Sequence, residues 1–514
     1  MGQTPKTLDP SVSSAARFGA ELRRARTDRG WSLAALGVSV HVSGDLLGKI
    51  EKAERTPSDD LVRRLDEILD AQGNLIRLSL PMRGPAAGAA KSPLSSVRWA
   101  HKLDRQASEL DISTPAGQYF QGAATTALFC RGQEREGRIE LVATDPQRAF
   151  VARRRSRGLV VGVVERGDRT QFFALATDRL RSASIPNDAV HLPQAYELDD
   201  FAMGLLWAVT NLDDALLDDD ASLAESAAEL EAGAHAGEAL GRSYSHDLSR
   251  VSLMWLGSSY CARHILGNTE SFSATPQYWT AERSGEAACG WLLFRHKLDY
   301  LQRTARMATG SIRSKRTFCL PTDYVAGLEL PDRILLLLSV SLMESFGIQV
   351  VISVDDDLAS VPGFVLDGGG CAILANWVNT DRIWQVDVCR DPPAIREFAS
   401  AIGHSVDNDL LGVGEPHDRL RTLAEYLGID WPWFRTRCRG FAAVGVAGFV
   451  RPRSRLLSLD GVERACSFLA AGRGDFQSLS PKRSRHAATS SSEIFANSTG
   501  GTANVVPVGS QSND

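Results

Sequence analysis

The feature that most constrains this chain is a series of short helix patterns within residues 15–80, each with its own start or stop signal. Ser32 and Ser43 stand just before apolar residues that recur at three- and four-residue spacing, the position of N-cap residues. Gly30 ends the first pattern, and the Thr-Pro-Ser sequence at 56–58 breaks the chain before the fourth. The pattern predicts an all-α unit of four or five short helices around one small core.

The second and third predicted helices are joined by a tight turn at His41-Val42, which indicates a helix-turn-helix. In that arrangement the second helix lies in the major groove of double-stranded DNA, with its N-terminal residues at the base edges. Backbone N–H groups and a serine hydroxyl at its start are suited to phosphate. The residues expected to contact DNA are Ser32, Ser43, Gly44, Asp45, Gly48, Lys49, Lys52 and Arg55.

The stretch "HVSGDLLGKIEKAERTPS", followed by "RLDEILDAQGNL", carries a family resemblance. Residues 15–80 resemble the XRE (Cro/C1-type) helix-turn-helix transcriptional regulators, especially the actinobacterial ones. Those commonly show the pattern HVS...L.KIE.G.R.PS...RLDE.L.A.G.L..L. The resemblance covers these residues only, and it implies a DNA-binding domain that regulates transcription.

Several positions depart from the family pattern. Leu33 stands where the family often has a glutamine that contacts the DNA backbone, and Gly44 stands where it often has arginine or another long polar residue. Asp45 places an acid towards a polyanion unless it accepts a hydrogen bond from a cytosine amino group. Ala53 replaces the usual glycine after the recognition helix.

Two interpretations of these departures remain open. In the first, Gly44 and Gly48 form a smooth face that lets the helix backbone approach the groove closely, while Lys49 and Lys52 supply the attraction. In the second, base reading is lost and the domain packs against a protein. We favour retained, sequence-specific DNA binding, with a protein-binding regulator as the alternative.

The remaining composition limits the other functions that are open to the chain. The formal net charge over 514 residues is -5, so nucleic-acid binding has to come from a local patch. The first 19 residues are polar and lack an apolar core, so no secretory signal is expected, and "ILLLLSVSLM" is about half the length of a membrane span. The eight cysteines are scattered singly, without zinc-site spacing. We expect a cytoplasmic, nucleoid-associated protein without metal, cofactor or membrane partner.

The chain is predicted to be multidomain: an all-α helix-turn-helix domain, a large α+β region and a disordered C-terminal tail. The proposed boundaries are a flexible N-terminus at 1–14, the helix-turn-helix domain at 15–80, a Pro/Gly/Ala linker at 81–95, a mixed α/β sensory or oligomerisation region at 96–310, an α/β domain with C-terminal helices at 311–472, and a Ser/Thr/Gly/Asn-rich tail at 473–514.

Local patterns predict individual elements of the α+β region. Residues 97–110 indicate a helix, residues 158–177 a β-hairpin around Arg-Gly-Asp, and residues 196–217 an amphipathic helix. The aspartates of "NLDDALLDDD", residues 211–220, lack the arrangement of a metal loop and are interpreted as a solvated helix face. "RRRSR", residues 153–157, is either a phosphate-binding strip or, as we favour, a solvated loop.

No catalytic constellation can be assembled, so we expect a protein without enzymatic activity. Cys261 and His264 share a helix face at a spacing of three residues, but no orienting acid or oxyanion donor accompanies them, and a packed pair is favoured. Residues 317–404 loosely resemble the phospholipase-D-like sensor halves attached to some bacterial regulators. The His-x-Lys signature of that family is absent from this stretch, so its chemistry is not carried over.

The α+β region is expected to sense a small-molecule or protein effector, or to dimerise. Asn376, Trp377 and Trp384 form a candidate effector pocket, with ordinary strand packing as the alternative. Because a small DNA-binding unit of this kind gains affinity from paired half-sites, a homodimer is expected.

Overall fold

The computed structural model describes residues 14–40, 42–53, 55, 57, 59–71, 74–75, 107–142, 144–153, 157–167, 169–182, 189–233, 240–242, 248–269, 272–307, 313–368, 370–376 and 383–471. The predicted linker (81–95) and tail (473–514) lie outside these residues, as does the predicted flexible N-terminus apart from Ser14. We call the described residues from 14 to 75 the head, and those from 107 to 471 the body.

The head contains four described helices, where the sequence predicts four or five. They are α1 (Ser14–Asp28), α2 (Leu33–Ser39), α3 (Gly44–Glu51) and α4 (Asp59–Ile68). Ser32 caps α2 by accepting from the backbone N–H of Ala35 at 3.1 Å, and Ser43 caps α3 by accepting from that of Leu46 at 3.2 Å. The helices enclose a core of eleven buried apolar residues: Phe18, Leu22, Leu36, Val40, Leu47, Ile50, Leu61, Val62, Leu65, Leu69 and Leu75.

The described strands of the body are β1 (Ser108–Thr114), β2 (Ala123–Arg131), β3 (Gln133–Arg135), β4 (Arg138–Val142), β5 (Gly158–Arg166), β6 (Arg169–Ala176), β7 (Ala189–Pro193), β8 (Leu240–Arg242), β9 (Gln277–Thr280), β10 (Lys315–Cys319), β11 (Gln349–Ser353), β12 (Phe364–Asp367), β13 (Cys371–Asn376) and β14 (Ile383–Cys389).

Its described helices are α5 (Asp145–Arg153), α6 (Thr177–Ser182), α7 (Asp200–Asp218), α8 (Asp220–Gly233), α9 (Arg250–Thr269), α10 (Gly285–Leu293), α11 (Arg295–Arg306), α12 (Thr322–Ala326), α13 (Leu330–Ser345), α14 (Pro392–Asp407), α15 (Pro416–Tyr426), α16 (Trp431–Val444) and α17 (Asp460–Ala470). Two 3₁₀ turns, Gln194–Tyr196 and Asp356–Ser360, complete the described elements.

These strands form three sheets. One has the order β1-β2-β5-β6, with β2 and β5 parallel and the outer pairs antiparallel. A small antiparallel sheet has the order β3-β4-β7. The largest is mixed, in the order β11-β10-β9-β12-β13-β14-β8, with β11, β10 and β9 parallel and the other pairs antiparallel. The structure thus confirms the predicted order of an all-α unit followed by an α+β region.

The predicted hairpin is confirmed, because β5 and β6 pair antiparallel across the turn that follows Arg166. The helix predicted over 97–110 is wrong at its C-terminal end. Ser108–Thr114 is strand β1, paired with β2, and the rest of the stretch up to residue 106 lies outside the described residues. Leu103, Ala107 and Leu110 recur at the four- and three-residue spacing of a helix, so periodicity alone did not show that Leu110 belongs to a strand.

The seven-stranded sheet crosses the boundary proposed between residues 310 and 311. Strands β8 and β9 come from the N-terminal side of that boundary, and β10 to β14 come from the other side. Strand β9 is bonded to β10 on one edge and to β12 on the other. The two proposed regions therefore share one sheet, because strands distant in sequence are brought together by tertiary pairing.

Helices α13 and α7 lie at the centre of the body. Every residue from Ile334 to Ser345 is buried, and α13 packs against α7, α10 and α17. Helix α7 is not amphipathic as predicted, because its polar side chains Thr210, Asn211 and Asp213 are buried as well as its apolar ones. Within the described ranges, no single helix is both long and apolar enough to cross a membrane.

Candidate nucleic-acid interface

The turn between α2 and α3 has the geometry of a helix-turn-helix. The two helices are bent by 112° relative to each other, within the range typical of that motif. Gly37 makes the turn possible, since a Cβ at this position would lie 2.6 Å from the carbonyl oxygen of Val42. Sequence reasoning did not identify Gly37, although a glycine inside a short helix is itself a sign of close backbone approach.

The predicted DNA-contacting residues outside the glycines lie on the surface of the head. Ser32, Ser43, Asp45, Lys49, Lys52 and Arg55 are all exposed. The oxygen of Ser43 accepts from the backbone of α3, which leaves its O–H free to donate to a phosphate oxygen. Exposed donors and cations at the start and along one side of α3 form a surface that a DNA backbone can contact.

Gly44 and Gly48 do not share that surface. A Cβ on Gly44 would lie 3.1 Å from the carbonyl carbon and oxygen of Leu33, and one on Gly48 would lie 3.5 Å from the Cδ1 atom of Leu33. Both glycines are half-buried and face α2. The outward glycine face suggested by the sequence is therefore wrong, because the close crossing of α2 and α3 requires the small residues.

Leu33 and the two glycines explain one another. Leu33 packs against the core of the head from the first turn of α2, where the resembling family often has a glutamine that contacts DNA. Its side chain fills the space beside Gly48. These departures from the family pattern thus form one packing arrangement between two helices, and they leave the outer face of α3 intact.

Ala53 follows α3 in a left-handed conformation, with φ of 59°. An L-residue with a Cβ adopts this conformation at a cost of about 1 kcal/mol relative to glycine. Its N–H donates to the carbonyl of Ile50 at 3.0 Å, so the strained residue closes the last turn of the helix. The left-handed backbone position that glycine usually occupies after the recognition helix is therefore present here, and alanine occupies it.

Several basic residues of the head bind acids of the head itself. Arg26 forms a bidentate pair with the buried carboxylate of Glu51, through Nε at 2.5 Å and Nη2 at 3.1 Å. Arg23 lies 3.4 Å from the same carboxylate. Arg24, another arginine of α1, has a largely exposed side chain and pairs with Glu21 at 2.7 Å. These arginines stabilise the fold of the head rather than adding fully to its positive field.

One of the lysines on the outer face of α3 is already paired with an acid of the same helix. Lys49 pairs with Asp45 at 2.8 Å, and this interaction lowers the pKa of Asp45. Lys52 and Arg55 are exposed beyond the end of the helix. A phosphate that approached this face would compete with Asp45 for Lys49 and would meet Lys52 directly.

The described strands place two of the three candidate effector positions, 376 and 384, on opposite faces of one sheet. Asn376 on β13 is paired with Gln385 on β14, so position 384 falls on the opposite face of the sheet. Trp384 is itself paired with Gly241 of β8. Trp377 lies outside the described residues. The β14 register therefore separates positions 376 and 384.

Polar pairs on α9 favour packing over catalysis. Burial raises the pKa of the Cys261 thiol, and the ring of His264 packs on Tyr260 with centroids 4.3 Å apart. The sequence did not indicate Ser258 and His296, whose Oγ and Nε2 atoms lie 2.7 Å apart. Ser258 also donates to the carbonyl of Trp255 at 3.0 Å, so its proton is directed to the backbone. The pKa of His296 falls to about 3 on burial, which keeps its ring neutral.

The basic stretch 153–157 ends in a buried ion pair. Arg157 is bonded to Asp213, whose side chain is fully buried, and to Asp214 at 3.1 Å. Arg153 pairs with Glu109 at 2.6 Å, while residues 154–156 lie outside the described residues. The solvated loop and the solvated helix face predicted for the two stretches are therefore wrong at Arg157 and Asp213, which pair with each other.

Comparison with known proteins agrees with the geometry of the head. Residues 17–78 match the family model described as "Helix-turn-helix domain". This segment is a helix-turn-helix domain of the XRE (Cro/C1) kind, and the match covers the segment alone. No curated protein and no solved structure matched the chain. The head thus indicates DNA-binding regulation.

Proposed function

We propose that the protein is a sequence-specific transcriptional regulator whose head binds double-stranded DNA through α3 in the major groove. The observation that carries the proposal is the outer face of α3, where Ser43, Asp45, Lys49 and Lys52 are exposed beside a capped helix start. Base contacts come from the side chains of α3, and phosphate contacts come from Ser43, Lys52 and Arg55. The site of action is the nucleoid in the cytoplasm.

The body, in this proposal, has no enzymatic activity and serves effector sensing or dimerisation. The two candidate pairs in its described helices lack an activated nucleophile, because burial raises the pKa of the Cys261 thiol and because Ser258, although 2.7 Å from His296, donates its proton to a backbone carbonyl. A homodimer supports paired half-sites, since one head offers few exposed cations. Measurement of the solution mass of the full-length protein, free and with duplexes that carry one or two half-sites, tests this part.

The experiment that tests DNA binding is a titration of the full-length protein with genome-derived and random duplexes over a salt series. Selective binding whose logarithm falls linearly with log salt is expected, with a slope that counts phosphate contacts. Lys52→Ala should reduce that slope by about one and weaken all duplexes similarly. Arg421→Ala, an equal charge change at an exposed position on α15, is the matched control and should leave the slope unchanged.

A protein-binding regulator is the second candidate, and one observation favours it. The Asp45–Lys49 pair makes the centre of the α3 face electrically neutral, which suits a protein surface as well as a polyanion. Weak binding, equal for every duplex and unaffected by Lys52→Ala, would support this candidate and contradict the first.

A further inference from the structure

A small cavity in the body lies between α9, α10, α11 and the middle strands of the seven-stranded sheet. About 50 Å³ of its space can hold the centre of a water molecule. Because one water needs roughly 10–15 Å³ on that measure, the space fits about three to five non-hydrogen atoms. The lining is buried except at Ala262, Ala281 and Gly363, which are partly exposed, so the cavity reaches the surface beside three small residues.

One wall of the cavity carries two buried cations. Lys297 is 2 % exposed and pairs with Glu282 at 2.8 Å, so its charge is balanced within the cavity wall. Arg316 is 4 % exposed and donates through Nη1 to the hydroxyl of Thr280 at 3.1 Å. No carboxylate of the described residues lies within ion-pair distance of its guanidinium. The cavity wall therefore carries one positive charge that no described acid balances at contact distance.

Arg316 differs in this respect from the other buried arginines of the described body. Arg419 donates to Asp409 at 3.2 Å, and Arg437 donates to Asp199 at 3.1 Å. A buried charge without a partner costs several kcal/mol, which is why such groups are normally paired. Arg316 instead lies among aromatic rings, with its Cζ atom 4.5 Å from the Tyr278 centroid and 4.8 Å from that of Trp291. Cation–π contact offsets part of this cost but satisfies no N–H group.

The unsatisfied atoms of Arg316 have a specific geometry. Its Nε and Nη2 atoms are buried and have no hydrogen-bond partner of normal geometry among the described residues, although the Tyr300 side chain interacts with this guanidinium. These two nitrogens lie on one edge of the planar guanidinium, and their N–H bonds point in the same direction. That edge matches two oxygens of a planar carboxylate, which it binds through two parallel hydrogen bonds.

We propose that this cavity binds a small planar oxyanion, a short-chain carboxylate of about four non-hydrogen atoms, with the Nε and Nη2 edge of Arg316 as its bidentate partner. The carboxylate balances the charge of Arg316, and the aromatic walls contact its apolar end. Entry passes the small residues at the rim. The anion site does not depend on the proposed effector-sensing role of the body. Only an effect of the bound anion on DNA binding rests on that role.

The first test is calorimetric titration of the full-length protein with sodium formate, acetate and nitrate at constant ionic strength, with phosphate and chloride as further arms. Saturable binding of the planar anions at one site per chain is expected. Equal affinity for chloride or for tetrahedral phosphate would show a general anion site and overturn the planar assignment. Absence of saturable binding by all five anions would overturn the proposal.

Variants of Arg316 separate a ligand-binding role from a structural one. Arg316→Lys keeps the charge and loses the fork, and it should weaken acetate binding at least about tenfold. Arg316→Met should abolish binding, while a higher melting temperature than wild type without anion would reflect removal of the unbalanced buried charge. Wild-type affinity in both variants would contradict the assignment. Arg437→Met is the matched control, because it removes a buried arginine that already has a carboxylate partner.

A variant at the rim keeps the test decisive if substitution of Arg316 prevents folding. A Cβ on Gly363 would meet the carbonyl oxygens of Ala375 and Trp279 at 3.4 and 3.7 Å, which are ordinary contacts. Gly363→Val should therefore fold and narrow the entrance, so that acetate binds more slowly or more weakly. Unchanged rates and affinity would contradict entry at this rim.

Repeating the DNA titration with and without saturating acetate distinguishes the two proposals. A change in DNA affinity that disappears in Arg316→Lys would show that the anion is the effector. Anion binding without any change in DNA affinity would leave the site in place and contradict its role as effector site. Selective DNA binding together with no anion binding would overturn only the inference on the cavity.

Discussion

The head and the body differ in where they place their charged side chains. In the head, only Glu51 and Asp66 among the described charged residues are less than a tenth exposed. In the body, the corresponding set is Asp213, Glu282, Glu286, Lys297, Arg316, Asp332, Glu344, Asp367, Arg419 and Arg437. The head therefore offers its polar chemistry to partners at the surface, whereas much of the polar chemistry of the body is internal.

The difference has physical consequences for each region. A small apolar core and exposed cations suit the head to a large polyanion, which can be contacted only at the surface. Buried charges in the body depend on partners within a few ångströms, since desolvation is offset only by close pairing. A buried charge with an incomplete set of partners, such as that of Arg316, is then a place where a ligand can be part of the structure.

The largest expected effect concerns Asp213, which joins α7 to two other segments of the body. Its carboxylate accepts from the backbone N–H groups of Arg453 at 2.7 Å and Ser454 at 2.6 Å, and it also pairs with Arg157. Asp213→Ala leaves these donors without an acceptor and should destabilise the protein by about 3–5 kcal/mol, measured by urea unfolding of the full chain. Asp214→Ala, whose side chain is 38 % exposed, is the control and should cost about 1 kcal/mol or less. A similar loss of stability in both variants would contradict the contrast between buried and exposed charged residues.

The second prediction concerns the pH dependence of Asp332. Burial raises the pKa of this carboxyl to about 7, against the effect of the backbone N–H groups of Glu286 and Gly285, which lower it. The nearby carboxyl of Glu286 also has a raised pKa, again mainly through burial. Between the unfolded pKa near 4 and the folded value, the folded state binds the extra proton, so stability should fall as pH rises from about 4 to about 7 and then level off.

Asp332→Asn isolates this contribution. Because the amide does not ionise, the stability of the variant relative to wild type should rise by roughly 2–4 kcal/mol across the same pH interval. Chemical unfolding at a series of pH values measures the difference. Asp407→Asn, the same change at an exposed position near the end of α14, should produce no such trend. A flat difference between wild type and Asp332→Asn would show that the buried carboxyl does not titrate as described.

A third, smaller effect is expected in the head. Gly44→Arg restores a residue type of the resembling family, but its Cβ would lie 3.1 Å from the backbone of Leu33, which cannot yield without moving α2. A cost of about 1–3 kcal/mol is expected, seen as faster amide hydrogen exchange in α2 and α3 of the full-length protein. Gly48→Ala meets only the flexible end of the Leu33 side chain at 3.5 Å and should be neutral or stabilising by up to about 1 kcal/mol. If Gly44→Arg improved DNA binding without changing amide hydrogen exchange, Gly44 would face outward, and the packing against Leu33 described above would be contradicted.

The smallest effect on the fold should come from Asp45→Ala. Its effect on DNA binding shows whether Asp45 opposes the phosphates of DNA or contacts a cytosine amino group. Removal of this exposed acid frees Lys49 and should raise affinity for all duplexes by roughly threefold to tenfold at low ionic strength. If Asp45 instead accepts from a cytosine amino group, affinity should fall for the preferred duplex only. Lys49→Ala is the paired variant, and it should weaken binding of every duplex.

The elements of the head could be predicted because their signals are local. Ser32 and Ser43 cap the helices that they were expected to cap, and the apolar spacing after each of them predicted the helix that the structure shows there. The hairpin at β5 and β6 was predicted for the same reason, since its turn and its strands are adjacent in sequence. Local hydrogen bonds and residue spacing depend little on distant parts of the chain.

The orientation of individual residues was decided by tertiary packing. Gly44 and Gly48 were placed on the outer face because helical spacing does not show how closely α2 crosses α3. Asp213 was taken for a solvated residue because its neighbours in sequence are acidic, whereas its partners Arg157 and Arg453 are distant in sequence. Arg316 had no sequence signal at all, since one arginine in a strand is ordinary until the strand is buried among aromatic rings.

The sequence by itself determined that a helix-turn-helix head precedes an α+β region, because caps, turns and hydrophobic spacing act over a few residues. Only the tertiary structure decided that β8 and β9 join the sheet of β10 to β14, and that Arg316 faces a cavity with no described acid at ion-pair distance from its guanidinium. Strand pairing and desolvation of charge depend on segments far apart in the chain, and no local pattern records which of them meet.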